Sequence, residues 1–330
     1  MPDAAGTARR YADPMPQQHN TDRPVGAHAP VAGGLAAASL RYATAIGAEA
    51  IQVFVTNPRA WALSPGDPEQ DRELREHVAA TGLPVFVHAP YLINVGSPDP
   101  VTRERSAGLL AHSLTRCAAI GGRGVVVHAG SAIEPDRAAG LRRARETLLP
   151  LLAAIPAGGP DLLIEPMAGQ GQMLCAVIAD LGPYLDALDW HPRAGLCLDT
   201  CHLFAAGHDL AAAGGVAAVL ADLAGTAPGR LRLIHANDAK DPCGSRRDRH
   251  ENIGAGRIGA APFAALLHHP DTSGVPFIVE TPGRQEGHAR DVAALRRLRD
   301  RPGPDQAANP ALTCPDLNRV PGGDLAGKKS

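Results

Sequence analysis

Short apolar runs alternate along most of the chain with longer segments of helical periodicity. The runs are VGAHA from Val25, AIQVFVT from Ala50, PVFVHA from Pro84, GVVVHA from Gly124, DLLIE from Asp161, AGLCLD from Ala194, LRLIHA from Leu231 and PFIVE from Pro276. Between them, segments such as GLAAASLRYATAIG, ERSAGLLAHSLTRCAAIG and HARDVAALRRLRD repeat apolar residues every three or four positions, and glycine often closes them. Near-continuous apolar strands suit a parallel sheet buried on both faces. Eight strands, each followed by helix-forming sequence, predict an α/β chain folded as a (β/α)8 TIM barrel. An open doubly wound sheet is the alternative, but the GxGxxG fingerprint is missing after the first run. Residues 1–24 lack periodicity and read as a disordered N-terminal tail, 25–302 as the barrel, and 303–330, rich in Pro, Gly and Asp, as a flexible C-terminal tail.

Composition narrows the partners. The chain has 330 residues, 45% of them hydrophobic, with a formal net charge of −2, so no global basic field attracts nucleic acid. Any such binding must come from local patches or metals. The six cysteines form no CxxC pair, and nothing near Met1 resembles a signal peptide, so a reduced, cytoplasmic protein is expected. No apolar run approaches the roughly 20 residues of a membrane span, which predicts no membrane partner.

The ends of the runs carry the chemistry. His28, His88, His128, Glu165, Asp199, His235 and Glu280 fall at or near the C-terminal ends of seven runs, the rim on which barrel enzymes assemble their sites. One such residue is an ordinary cap. Seven drawn only from His, Asp and Glu point to a metal site, with zinc, manganese or iron compatible. His202 lies three residues beyond Asp199. Asp248 and His250, two apart in DRH, project to one side of an extended segment, as two ligands of one metal would. Cys197 and Cys201 flank Asp199 in CLDTC, but free cysteines usually behave as small buried apolar residues.

These stretches together resemble the endonuclease IV family of metal-dependent apurinic/apyrimidinic DNA endonucleases. The matching segments, in family order from about Val25 to Arg301, are GAHAPVAGG, VFVTNPRAW, HAPYLINVGS, VVVHAGS, EPMAGQG, CLDTCHLFAAGHDL, IHANDAKDPCGSRRDRHENIGAG and VETPG. The resemblance implies three Zn2+ per chain, with Mn2+ compatible at one position. His88 and His128 would hold the first ion, and Glu165, as catalytic bridge, would join it to a second held by Asp199, His235 and Glu280. His202, Asp248 and His250 would hold the third. Three Zn2+, four carboxylates and a bridging hydroxide sum to about +1, enough to attract a phosphodiester to a slightly acidic chain.

The implied reaction is in-line hydroxide attack on the phosphorus 5′ to an abasic site, leaving a 3′-hydroxyl and a 5′-deoxyribose phosphate, together with cleaning of blocked 3′ ends. The implied partner is double-stranded DNA carrying such lesions, bound by a monomer. Arg59 in NPRAW is the expected wedge, Tyr91 and Leu92 insert at the lesion, and Asn94, Lys240, Arg246 and Arg249 make further contacts. His28 is expected to orient a phosphate or a ligand, and Gln170 to support a ligand or contact the substrate. Pro166 stands where many relatives carry a polar residue, and HAG replaces the frequent HPG after His128. The rival reading is a single-metal sugar isomerase or epimerase on the same barrel, built from Glu165, Asp199, His235 and Glu280 alone.

Overall fold

A computed structural model describes residues 22–301. The strands are β1 Val25–His28, β2 Ala50–Val53, β3 Val85–His88, β4 Gly124–His128, β5 Asp161–Glu165, β6 Ala194–Asp199, β7 Leu231–His235, β8 Asp238–Ala239, β9 His250–Glu251 and β10 Phe277–Val279. The helices are α1 Leu35–Ile46, α2 Pro68–Thr81, α3 Pro100–Ala119, α4 Arg137–Ala154, α5 Leu181–Ala187, α6 Thr200–Ala206, α7 Gly215–Thr226, α8 Ala260–His268 and α9 Arg284–Asp300. Strands β1 to β7 and β10 close into a parallel barrel in chain order. The TIM-barrel expectation is met, with one strand for each apolar run. Beyond the predicted plan, β8 and β9 form a separate antiparallel pair over the rim.

Local chemistry starts and stops the helices where the sequence suggests. Asp67 and Asp99 cap α2 and α3, each with a proline at the first helical position, and Gly47 ends α1 in the left-handed conformation. Outward-facing strand residues pack against the helices in one large core. Inside the barrel sits a second cluster with one residue from each of seven strands: Ala50, Phe86, Val126, Leu163, Cys197, Leu233 and Ile278. Strand β1 contributes Gly26, because a Cβ there would lie 1.6 Å from the Ala50 carbonyl oxygen.

This plug sets the functional rim. Side chains two residues apart on a strand share a face. Two residues beyond each plug position stand His28, Gln52, His88, His128, Glu165, Asp199, His235 and Glu280. An apolar floor thus carries a polar ring at the C-terminal mouth.

Asp22 to Pro24, assigned above to the tail, pair with the barrel: Gly274 N–H donates to the Asp22 carbonyl and Phe277 N–H to that of Pro24. The rest of the expected tails, 1–21 and 303–330, lies outside the described residues, as does Pro302. No helix among the described residues is long and apolar enough to cross a membrane.

Replacing Gly26 with alanine should drive a methyl group into the β2 backbone, which has no side-chain freedom to yield. The expected cost is about 3 kcal/mol, read as a lower denaturant midpoint. An unchanged midpoint would mean that the β1–β2 contact is looser than described.

Candidate metal centre

Glu165, 1% exposed at the end of β5, is the hub of the ring. Its Oε2 lies 3.5 Å from His88 Nε2 and 3.6 Å from His128 Nε2. Its Oε1 lies 3.0 Å from His235 Nδ1 and 3.4 Å from His202 Nδ1. His235 Nδ1 also faces Glu280 Oε2 at 3.4 Å and Asp199 Oδ2 at 3.9 Å. Further out, His250 Nε2 is 3.5 Å from Asp199 Oδ2 and 3.0 Å from Asp248 Oδ1, while His202 Nε2 is 3.2 Å from Asp248 Oδ2.

Each of four imidazoles is oriented by a bond made through its other nitrogen. Nδ1–H of His88 donates to the Ala89 carbonyl, that of His202 to Pro166, and that of His250 to Glu280. All three therefore present Nε2 to the mouth. His235 is reversed: its Nε2 meets Gln52 Oε1 at 2.9 Å, and Nδ1 faces the carboxylates. Pro166, next to Glu165, contributes through its backbone carbonyl rather than a side chain.

Asp199 has two duties. Oδ1 accepts the His202 backbone N–H, capping α6, while Oδ2 accepts the Asn237 side-chain amide. Asn237 Oδ1 in turn accepts the Glu280 N–H, so one buried amide ties β6, β7 and β10 together at ligand height. Asp248 lies in the loop between β8 and β9, and His250 opens β9. Buried Asp238 clamps that region, its carboxylate accepting backbone N–H groups from Ala239, Gly254, Gly256, Ile258 and Gly259. Gly256 has to be glycine, since a Cβ would meet Asp238 Oδ1 at 2.4 Å. Gln52, Asn237 and Asp238 are absent from the sequence-based site. Polar residues in or just after apolar runs were the available signal.

Several observations fit this donor set to cations. Glu165 Oε2 is buried without a hydrogen-bond partner, and the buried His202 Nε2 and His250 Nε2 face only carboxylates. Zinc bonds of about 2.0–2.1 Å place tetrahedral donors roughly 3.3–3.4 Å apart, close to the separations around Glu165. His88, His128 and Glu165 form one candidate group, His202, Asp248 and His250 another, and Glu165, Asp199 and His202 a third.

The electrostatics agree. Burial pushes His128 down to about 4. Burial also opposes protonation of His202 and His250, but Asp199, followed by Asp248, outweighs it and raises them to about 10 and about 9. Glu165 and Glu280 stay well below the usual carboxylate range despite burial, mainly because His235 faces both. The mouth attracts positive charge. Burial holds the Cys197 thiol up at about 12, so a thiolate site in CLDTC gains no support.

The residues assigned to DNA contact are more scattered. Tyr91 is 50% exposed, its ring 5.5 Å from that of His88 and 6.0 Å from that of His128. Arg59 is exposed on the neighbouring loop, and Leu92 is half-buried. Lys240 and Arg246 are exposed. Asn94 Oδ1 accepts from Gly96 and Ser131 N–H, which ties two rim loops and leaves its amide nitrogen to offer. The Arg249 guanidinium forms two bonds to Asp241, so its charge is already paired. Trp61 sits under the Arg105 guanidinium. His28 Nδ1 faces Glu280 and Gln52, and Gln170 Oε1 is buried without a partner.

Comparison with known proteins adds a lineage. A family model described as a xylose isomerase-like TIM barrel matches residues 40–301. A relative from Streptomyces coelicolor, named "Probable endonuclease 4", is 56% identical over 280 residues, covering 84% of this chain and 95% of its own. The crystal structure of endonuclease IV from Thermus thermophilus superposes with a TM-score of 0.73 at 33% identity, covering 83% of this chain and 98% of that one. A 3-keto-D-glucoside 4-epimerase from E. coli reaches a TM-score of 0.60 at 17% identity, covering 83% and 99%, and shares the fold alone.

Asp238→Asn should place an amide NH2 against backbone donors and loosen the segment bearing Asp248 and His250. Denaturation in chelator, which removes any metal contribution, should show a loss of about 3 kcal/mol. A loss below about 0.5 kcal/mol would remove Asp238 as the clamp.

Proposed function

The chain belongs to the endonuclease IV family on the xylose isomerase-like TIM barrel, and from that premise we propose that it repairs DNA by hydrolysing the phosphodiester 5′ to an abasic site. The products are a 3′-hydroxyl and a 5′-deoxyribose phosphate, and the same mouth would clean blocked 3′ ends. The observation that carries this reading is the convergence of five imidazoles and four carboxylates, with Glu165 at their hub, in one mouth.

In this reading His88, His128 and Glu165 hold one zinc. Glu165, Asp199, His235 and Glu280 hold a second, and His202, Asp248 and His250 a third. Bound zinc supplies positive charge for the phosphate and a water acidified to a pKa of about 7. The chain's own residues supply the arrangement. Glu165 is fitted to bridge, since its two oxygens face different imidazoles. Asp199 and Asn237 hold the neighbouring ligand positions in register. Tyr91, exposed beside His88 and His128, offers a face on which an unstacked nucleotide can rest, while Arg59 reaches toward the duplex. Lys240 and Arg246 are the proposed phosphate contacts, and Arg249 acts with its charge shared by Asp241. The protein would act as a monomer.

A single-metal isomerase needs only Glu165, Asp199, His235 and Glu280. The five further donors, His88, His128, His202, Asp248 and His250, meet in the same mouth and favour the nuclease.

Elemental analysis should find about three zinc ions per chain, and prolonged chelation should abolish incision of a duplex with one abasic site. Glu165→Gln should lower incision at least about 100-fold and reduce zinc content. Full cleavage by that variant, or a single tightly held metal in the parent protein, would refute the reading. Tyr91→Ala should leave zinc content intact and weaken abasic-duplex binding by roughly 1–3 kcal/mol in a titration. Unchanged binding would exclude a stacking role.

A further inference from the structure

Seven strands of the ring end in a titratable residue, and the eighth, β2, ends its inward face in Gln52. It has no solvent exposure, although an amide buried in an apolar strand costs free energy unless its groups are paired. All its polar atoms find partners. Nε2 donates to Glu280 Oε1 at 2.6 Å and faces His28 Nδ1 at 3.0 Å, and Oε1 lies 2.9 Å from His235 Nε2.

The chemistry of the partners fixes the amide orientation. An ionised carboxylate oxygen only accepts, so the NH2 group must face Glu280 and the carbonyl must face His235. The carbonyl also only accepts, so His235 must carry its hydrogen on Nε2. Its Nδ1 is then the nitrogen left for a cation to take, 3.0 Å from Glu165 Oε1 and 3.4 Å from Glu280 Oε2. That oxygen is the one Gln52 leaves open. A single neutral side chain therefore selects the donor atom of two residues at once and aims both at the same point.

We propose that Gln52 is a positioning residue for the central cation site. It presets the His235 tautomer and the Glu280 carboxylate so that Nδ1 and Oε2 are presented together. The inference rests on the zinc reading above and deepens it. It also accounts for the exception among the imidazoles: His88, His202 and His250 are set by backbone carbonyls and offer Nε2, whereas His235 is set by a side chain and offers Nδ1. A neutral amide suits this place because a second carboxylate would repel Glu280 and a cation would compete with the metal.

The test uses the full chain, Gln52→Met and Gln52→Ala. Methionine keeps most of the volume and removes both hydrogen-bonding groups. Alanine inserts no new group and serves if methionine packs badly. Zinc is titrated against a competing chelator, and histidine-15N-labelled protein is examined by long-range proton–nitrogen correlation. The parent protein should show one imidazole protonated on Nε2 with Nδ1 bound, while the ligands oriented by backbone carbonyls show the opposite pattern. Either variant should lose the His235 pattern and weaken one zinc of three by about 10–100-fold, with its melting temperature in chelator within a few degrees of the parent. Unchanged affinity with an unchanged nitrogen pattern in either folded variant would overturn the role of Gln52. A parent protein that binds no zinc would instead overturn the metal reading itself.

Discussion

A carboxylate out of contact with water stays ionised only if positive charge or hydrogen-bond donors surround it. Glu165 and Asp199, each 1% exposed, therefore dictate what can stand near them. Imidazoles answer this demand on the sides where they face the carboxylates. Lowered carboxyl pKa values and raised imidazole pKa values are two views of the same imbalance. A cation at the mouth would satisfy the carboxylates more completely than protons do, and it would leave the histidines neutral.

Holding so many like charges together requires a frame that cannot relax. The barrel supplies it, because each ring residue is anchored two positions above a plug residue with no room to shift. The outermost donors arrive differently. Asp248 and His250 ride on the excursion between β7 and α8, which is ordinarily less exact than a barrel strand. The Asp238 clamp and the β8–β9 pair restore the lost precision by fixing the backbone on both sides of it.

The rim also separates an aromatic surface from a basic one. Tyr91 stands exposed beside Phe54, while the basic residues Lys240 and Arg246 lie exposed on the loop between β8 and β9. With cations held in the mouth, as proposed above, a slightly acidic protein would hold a polyanion there rather than through a basic surface.

The barrel was legible in the chain because parallel strands buried on both faces must be apolar along their length, and eight such runs leave few architectures. The residues at the run ends were legible too, since His, Asp and Glu are rarely placed in a row of strand ends by packing alone. What local pattern could not carry was pairing between strands distant in sequence. Gln52 looked like one polar residue in an apolar run until β1, β2, β7 and β10 closed on each other and brought His28, His235 and Glu280 against it. Arg249 looked like a free charge until the loop folded it onto Asp241. Period and composition act over a few residues and are written in the chain, whereas the donor atom each ligand presents depends on hydrogen bonds that exist only once the barrel has closed.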